Sequence, residues 1–121
     1  MPTVRIEYRT DKEYEHIVER LVDELPRIVA PQMNVDGREL HDVGVGASEI
    51  IVNVFECSPL DRNINDIQIT VIAHSFAERR QHLDEATAKV KKGVMSILAD
   101  FDRNVSVGVS IWLVEMGYET I

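Results

Sequence analysis

A proline directly after the first methionine, heading the strand-like run Thr3-Val4-Arg5-Ile6-Glu7-Tyr8, is the residue of this chain whose type and position best suit chemistry. Methionine is cleaved efficiently before proline, which would leave Pro2 with a free secondary amine. An α-amino group titrates at roughly 7.7–8.0, well below a lysine. Apolar burial and a nearby cation push it lower, toward the range in which a general base is half free at neutral pH. Met-Pro starts are also common, so the residue alone leaves a catalytic base and an ordinary terminus both open.

The other reactive side chains form no such focus. The four histidines, His16, His41, His74 and His82, include no His-x-x-x-His pair and have no neighbouring cysteine, so no metal site is expected. No Gly-x-Ser-x-Gly elbow is present. Gly44-Val45-Gly46 precedes a strand instead of opening a helix, so no helix N-terminus would face a phosphate there. His41-Asp42 offers a proton relay and Glu115 a carboxylate able to activate water, yet each also reads as an exposed polar group. Cys57 is the only cysteine, which excludes an intrachain disulfide.

The elements that must position Pro2 belong to one domain spanning 1–121, since 121 residues leave room for a single core. A net charge of −8 argues against a nucleic-acid partner, because that affinity comes from clustered Lys and Arg. Lys89, Lys91 and Lys92 read as a solvated helix face. An acidic protein that binds a small anionic substrate must hold it with locally placed arginines. No run approaches a membrane span or the apolar core of a signal peptide, so no membrane partner and a cytoplasmic location are expected.

Alternation and β-branching predict strands over Thr3–Arg9 and Ile67–His74, each followed by an amphipathic helical pattern and a second hydrophobic strand, Glu49–Cys57 and Val105–Glu115. The first helix is expected to open at Thr10 or Asp11, with Glu13 completing a capping box, and Pro26 to kink or end it. The second carries Leu83, Ala86, Val90, Val94, Ile97 and Leu98, with Gly93 as a weak point, and stops around Asp100 to Asn104. Pro31 to Ser48 reads as a loop or lid. The order is β-α-β-β-α-β in two units, 2–57 and 66–116, which superpose weakly at an offset of 66 positions matching His16 to His82. Four strands with two helices on one face leave the other face and the sheet edges bare, a condition that oligomerisation relieves.

This layout from Pro2 onward resembles the tautomerase superfamily, which includes oxalocrotonate tautomerase, macrophage migration inhibitory factor and the carboxymethyl-hydroxymuconate isomerases. Arg9-Thr10-Asp11 resembles the Arg-Ser-Asp element at the first strand-to-helix junction of the short members, and Ile111-Trp112-Leu113-Val114-Glu115-Met116 the closing strand of the longer ones. The resemblance implies an α+β fold and a homotrimer, with Pro2 as the base at the floor of each subunit-interface pocket. The activity it implies is cofactor-free isomerase or tautomerase chemistry on 2-oxo or enol acids, or hydration and dehalogenation of small unsaturated acids. Substrate-binding roles would fall to Arg9, Arg79, Arg80 and Trp112. Family enzymes commonly place an arginine at the second strand-to-helix junction, where this chain has Ser75, so Arg79 or Arg80 would reach in from the helix or pair with Glu78 or Asp84 instead. Arg38 would cover a neighbouring site or be a solvated loop residue, and Trp112 would wall the amine or fill the core.

The same element order describes ferredoxin-like domains, often non-catalytic binding or assembly modules. The two plans differ in strand order. In the tautomerase plan the strands joined by each helix lie adjacent and parallel, whereas a ferredoxin-like sheet separates them.

Overall fold

The computed structural model describes residues 2–33, 46–62 and 64–115. Its elements are β1 (Thr3–Tyr8), α1 (Glu15–Met33), a 3-10 turn (Ala47–Glu49), β2 (Ile51–Glu56), β3 (Ile67–His74), α2 (Ala77–Gln81), α3 (Leu83–Leu98) and β4 (Val107–Val114). They build one four-stranded sheet in the order β2-β1-β3-β4. β1 lies parallel to β2 and β3 parallel to β4, while β1 and β3 pair antiparallel at the centre. Strands joined by a helix are therefore neighbours, so the sheet follows the tautomerase plan and excludes the ferredoxin-like one.

Alternation decides which sheet face carries the helices. Val4, Ile6 and Tyr8 of β1 and Ile67, Ile69, Val71 and Ala73 of β3 are buried, and they meet Leu21, Leu25 and Val29 of α1 and Val90, Val94 and Ile97 of α3. Thr3, Arg5 and Glu7 point to the opposite, uncovered face, together with Ile51, Phe55 and Trp112. Ile51, Phe55 and Trp112 are 45, 44 and 59 % exposed, a bare apolar band in a single chain. Gly93 has a use beyond weakening α3: a Cβ there would sit 2.9 Å from Ile28 Cγ2, so its absence lets α3 approach α1. Among the described residues no helix is long and apolar enough to cross a membrane.

Two expectations for α1 are corrected. The helix starts at Glu15, not at Thr10 or Asp11, because the groups expected to cap it are engaged elsewhere. Asp11 accepts two hydrogen bonds from Arg9, at 2.6 and 3.1 Å, and Glu13 adopts the left-handed φ of 55°. Arg103 then donates to the carbonyls of Lys12 and Glu13, each at 2.6 Å, and stacks on the Tyr14 ring. The helix also runs past Pro31, where a loop was expected to begin, and of the two outcomes expected at Pro26, a kink or an end, the end does not occur: α1 continues through both prolines to Met33. An interior proline forfeits a hydrogen bond and costs about 3 kcal/mol. Here Leu21 and Leu25 before Pro26, and Val29, Ala30 and Met33 after it, are all buried, and their packing outweighs that cost. Arg38, His41-Asp42 and Gly44-Val45 lie outside the described residues.

The corner where β1 ends and β3 begins is locked by polar contacts. The Asp66 N–H donates to Ser106 Oγ at 2.9 Å, and the Ser106 N–H returns a bond to the Asp66 carboxylate at 3.0 Å. Burial alone would raise the Asp66 pKa, but hydrogen bonds from Ser106 and Tyr14 and the charge of Arg9 outweigh it and hold the group below the usual carboxylate range. A lowered carboxylate pKa adds stability that is present above the unfolded value and lost as pH falls through the folded one. Asp66→Asn should therefore melt below the wild type at neutral pH, the two melting curves converging as pH falls below the usual carboxylate range. A gap that stays constant below that range would show that the carboxylate charge contributes nothing.

Candidate functional site

Pro2 precedes β1 at the end of the sheet where β1 and β2 begin and β3 and β4 finish. It is less than 2 % exposed, and its carbonyl accepts the Ile51 N–H at 3.2 Å, extending the β1–β2 ladder by one bond. The first full row beyond it runs Ile51, Thr3, Ile72, Trp112 across all four strands. Pro2 thus heads an interior strand with paired neighbours on both sides, in a setting that excludes water.

Beyond the end of β3 the chain turns at Ser75 and Phe76 into the short helix α2. Phe76 takes an extended conformation (φ −148°), and His82 breaks the helix before α3 starts. Arg79 is 8 % exposed. Its Nη1 donates to the His74 carbonyl at 2.9 Å, its Nε to the Met33 carbonyl at 3.2 Å, and its guanidinium stacks 4.4 Å from the Phe76 ring centre. These bonds tie the last residue of β3 to the last residue of α1. Burial lowers the Arg79 pKa, because a cation out of water is disfavoured. Neither Arg79 nor Arg80 forms an ion pair with Glu78, Asp84 or any other described carboxylate. Arg80 is exposed and donates to Ser75 Oγ at 2.9 Å. Ser75 therefore supports an arginine at the junction where the resemblance called for one.

The other two candidates lie elsewhere. Arg9 follows the far end of β1, roughly 20 Å from Pro2 at the ordinary rise per strand residue. It pairs with Asp11 at 2.6 Å and Asp66 at 3.7 Å, beside a cleft of about 150 Å³ that includes Cys57 and Asp61. Hydrogen bonding to Asp11, with the charges of Asp11 and Asp66, raises its pKa. Within one chain Pro2 and Arg9 do not share a site. Trp112 neither fills the core nor walls Pro2 from the helix side; it stands on the uncovered sheet face, in the row next to Pro2. Among the described residues no group of three or more His, Cys, Asp or Glu converges to hold a metal.

Phe76 and the carbonyls of Met33 and His74 were missed in the sequence. One signal pointed to them: Arg79 shares the spacing of Leu83, Ala86 and Val90, so helical period alone puts it on the inward stripe.

No protein-family model and no curated protein matches this chain in sequence. Solved structures do match in fold. A macrophage migration inhibitory factor-like protein from Entamoeba histolytica superposes with a TM-score of 0.61 at 13 % identity, covering 98 % of this chain and 95 % of that one. A fused 4-OT described as a symmetric trimer gives 0.56 at 12 %, covering 96 % and 90 %. A 5-carboxymethyl-2-hydroxymuconate delta-isomerase gives 0.51 at 14 %, covering 100 % and 87 %. The chain has the α+β fold of the tautomerase superfamily.

Proposed function

We propose that this protein is a cofactor-free tautomerase or isomerase of small 2-oxo or enol carboxylic acids, with Pro2 as the base after removal of Met1. The observation that carries the reading is the burial of Pro2 at the head of an interior strand, within a sheet of the tautomerase plan. A secondary amine held there is poorly hydrated, so its protonated form is disfavoured and its lone pair stays available near neutral pH. It would take the proton from the enol oxygen as the carbonyl forms, and the resulting ammonium would return a proton to the carbon that was vinylic. No electrons leave the substrate, so no redox partner is called for.

The substrate carboxylate would be held by arginine, whose planar fork matches it. Arg80 is exposed and has one neutral partner, Ser75 Oγ. Arg79 uses Nε and Nη1 on backbone carbonyls and has no described partner at Nη2. Arg80 is thus the binding group, with Arg79 fixing the junction that presents it. Trimer formation would cover the bare face and bring Trp112 of each copy into an interface near Pro2. Arg9 of an adjoining copy could enter a site only by leaving its two aspartates.

The test is ketonisation of a simple enol, such as that of phenylpyruvate, by protein whose intact mass shows Met1 removed. The rate should rise with pH through the pKa of the amine and then level off. A rate no faster than buffer at any pH would end the enzymatic reading and favour a non-catalytic anion-binding module on the same fold.

A further inference from the structure

We propose that the buried guanidinium of Arg79 acts on Pro2 through its charge, disfavouring the protonated amine and so keeping the base free at neutral pH. The inference rests on the reading of Pro2 as an amine base and names the positioning residue that tunes it. Among the described residues Arg79 is the only charged side chain that is buried. Its partners are the carbonyls of Met33 and His74 and the ring of Phe76, which orient the guanidinium without neutralising it. Packing does not call for a cation here. A neutral side chain can donate to the same carbonyls at a lower desolvation cost, whereas an arginine stays charged even when burial lowers its pKa.

Register brings this charge to Pro2. β1 and β3 pair Thr3 with Ile72, so the same register sets Pro2 opposite Ala73 and its nitrogen toward the level of His74. By alternation the Pro2 ring shares the helix side of the sheet with Val4 and Ile6, and all three are buried. Arg79 lies on that side too, because it bonds the last residue of α1. Its Nη1 is 2.9 Å from the His74 carbonyl. Opposite residues of an antiparallel pair stand about 5 Å apart at Cα, which puts the guanidinium within roughly 10 Å of the Pro2 nitrogen. At an effective dielectric of about 20, a unit charge at that distance lowers an amine by on the order of one pKa unit.

No other ionisable group near Pro2 is so placed. The elements around it carry Arg27 on α1, Glu49 in the turn before β2, His74 at the end of β3, Glu78 and Arg80 on α2, and Glu115 after β4. Glu78 is half-buried and the other five are exposed, so water and salt screen them. Arg79 is screened least, and its sign is the one that favours a neutral amine.

Titration of Pro2 tests the coupling directly. The carbon and nitrogen chemical shifts of Pro2, in proline-labelled protein whose intact mass shows Met1 removed, report protonation of the amine whether or not the protein is a catalyst. Arg79→Gln should raise the Pro2 pKa by about one unit. Arg79→Lys, which keeps the charge, should leave it close to that of the wild type. Because Arg79→Gln also loses backbone bonds, Phe76→Glu gives a second reading: it sets a carboxylate against the guanidinium with Arg79 intact, and should raise the Pro2 pKa where Phe76→Gln does not. In enol ketonisation the Arg79→Gln rate should fall about tenfold at pH values below the amine's pKa and by less above it, whereas a purely structural loss lowers the rate alike at every pH. A Pro2 pKa unmoved by Arg79→Gln, or by Phe76→Glu in folded protein, overturns the proposal and leaves the catalytic reading standing. The stated shifts in a protein that ketonises enols no faster than buffer support the charge coupling and overturn the catalytic reading alone.

Discussion

Replacing Pro2 with alanine should lower kcat/KM for enol ketonisation at least about tenfold, on the order of 1.4 kcal/mol in the barrier, with little change in melting temperature. Alanine keeps an α-amine after Met1 is removed, but the amine becomes primary and its φ is no longer fixed by a ring. The lone pair then samples directions that proline forbids, and productive alignment with the substrate becomes rarer. Stability should hold because Pro2 lends the ladder only its carbonyl, to the Ile51 N–H, and alanine retains that acceptor. Protein that retains Met1 carries a tertiary amide at the proline nitrogen and has no base there, so its rate should fall to that of buffer. Equal rates for processed, Met1-retaining and Pro2→Ala protein would remove the proline from the chemistry.

Leu25→Ala should destabilise the fold by about 2–5 kcal/mol, the range for emptying a fully buried leucine site. Leu25 is 0 % exposed and sits one residue before Pro26, where the helix ladder already lacks a donor. With less packing to hold that turn, the C-terminal half of α1 has the least to resist fraying. For a domain of this size the loss should lower the melting temperature by roughly 10 °C or more. Arg27→Ala, two residues away and exposed, should stay within about 0.5 kcal/mol and serves as the control. A cost for Leu25→Ala near that of the control would mean that this stretch of α1 does not depend on the core.

Strands were the most legible part of the sequence because each carries its own evidence. β3 occupies the predicted Ile67–His74, and β1, β2 and β4 lie within one or two residues of their predicted spans. Their alternation is local, and it also predicted a bare face. The start of α1 was not legible, because what displaces it comes from far along the chain. Arg103 reaches back to the carbonyls of Lys12 and Glu13 across about ninety positions, and no local cap preference registers that. Pro26 left a kink or an end open for the same reason: its penalty is local, whereas the packing that outweighs it is tertiary. At the site, strand-end position alone marked Pro2, whereas Arg79 was expected to bind substrate or pair with a surface carboxylate and instead lies on the buried stripe. Arg9 drew its expected role from the resemblance of Arg9-Thr10-Asp11 to a family element, and within one chain it stands at the far end of β1 from Pro2, paired with Asp11 and Asp66. An extended strand carries seven residues from one end of a sheet to the other.

The pairing of β1 with β3 has an evolutionary corollary. A chain made of two like units has an approximate twofold about its centre, so each unit offers the same kind of corner where its first strand starts. Under the proposed mechanism only one corner can hold a free amine, because the head of β3 is joined to the chain before it and its nitrogen is an amide. The duplicated corner is therefore released from selection for reactivity. In this molecule it carries the Asp66–Ser106 exchange, with Tyr14 and Arg9 alongside. Under that mechanism one of two like corners stays open to react while the other serves as a clasp, a division of labour within a single polypeptide.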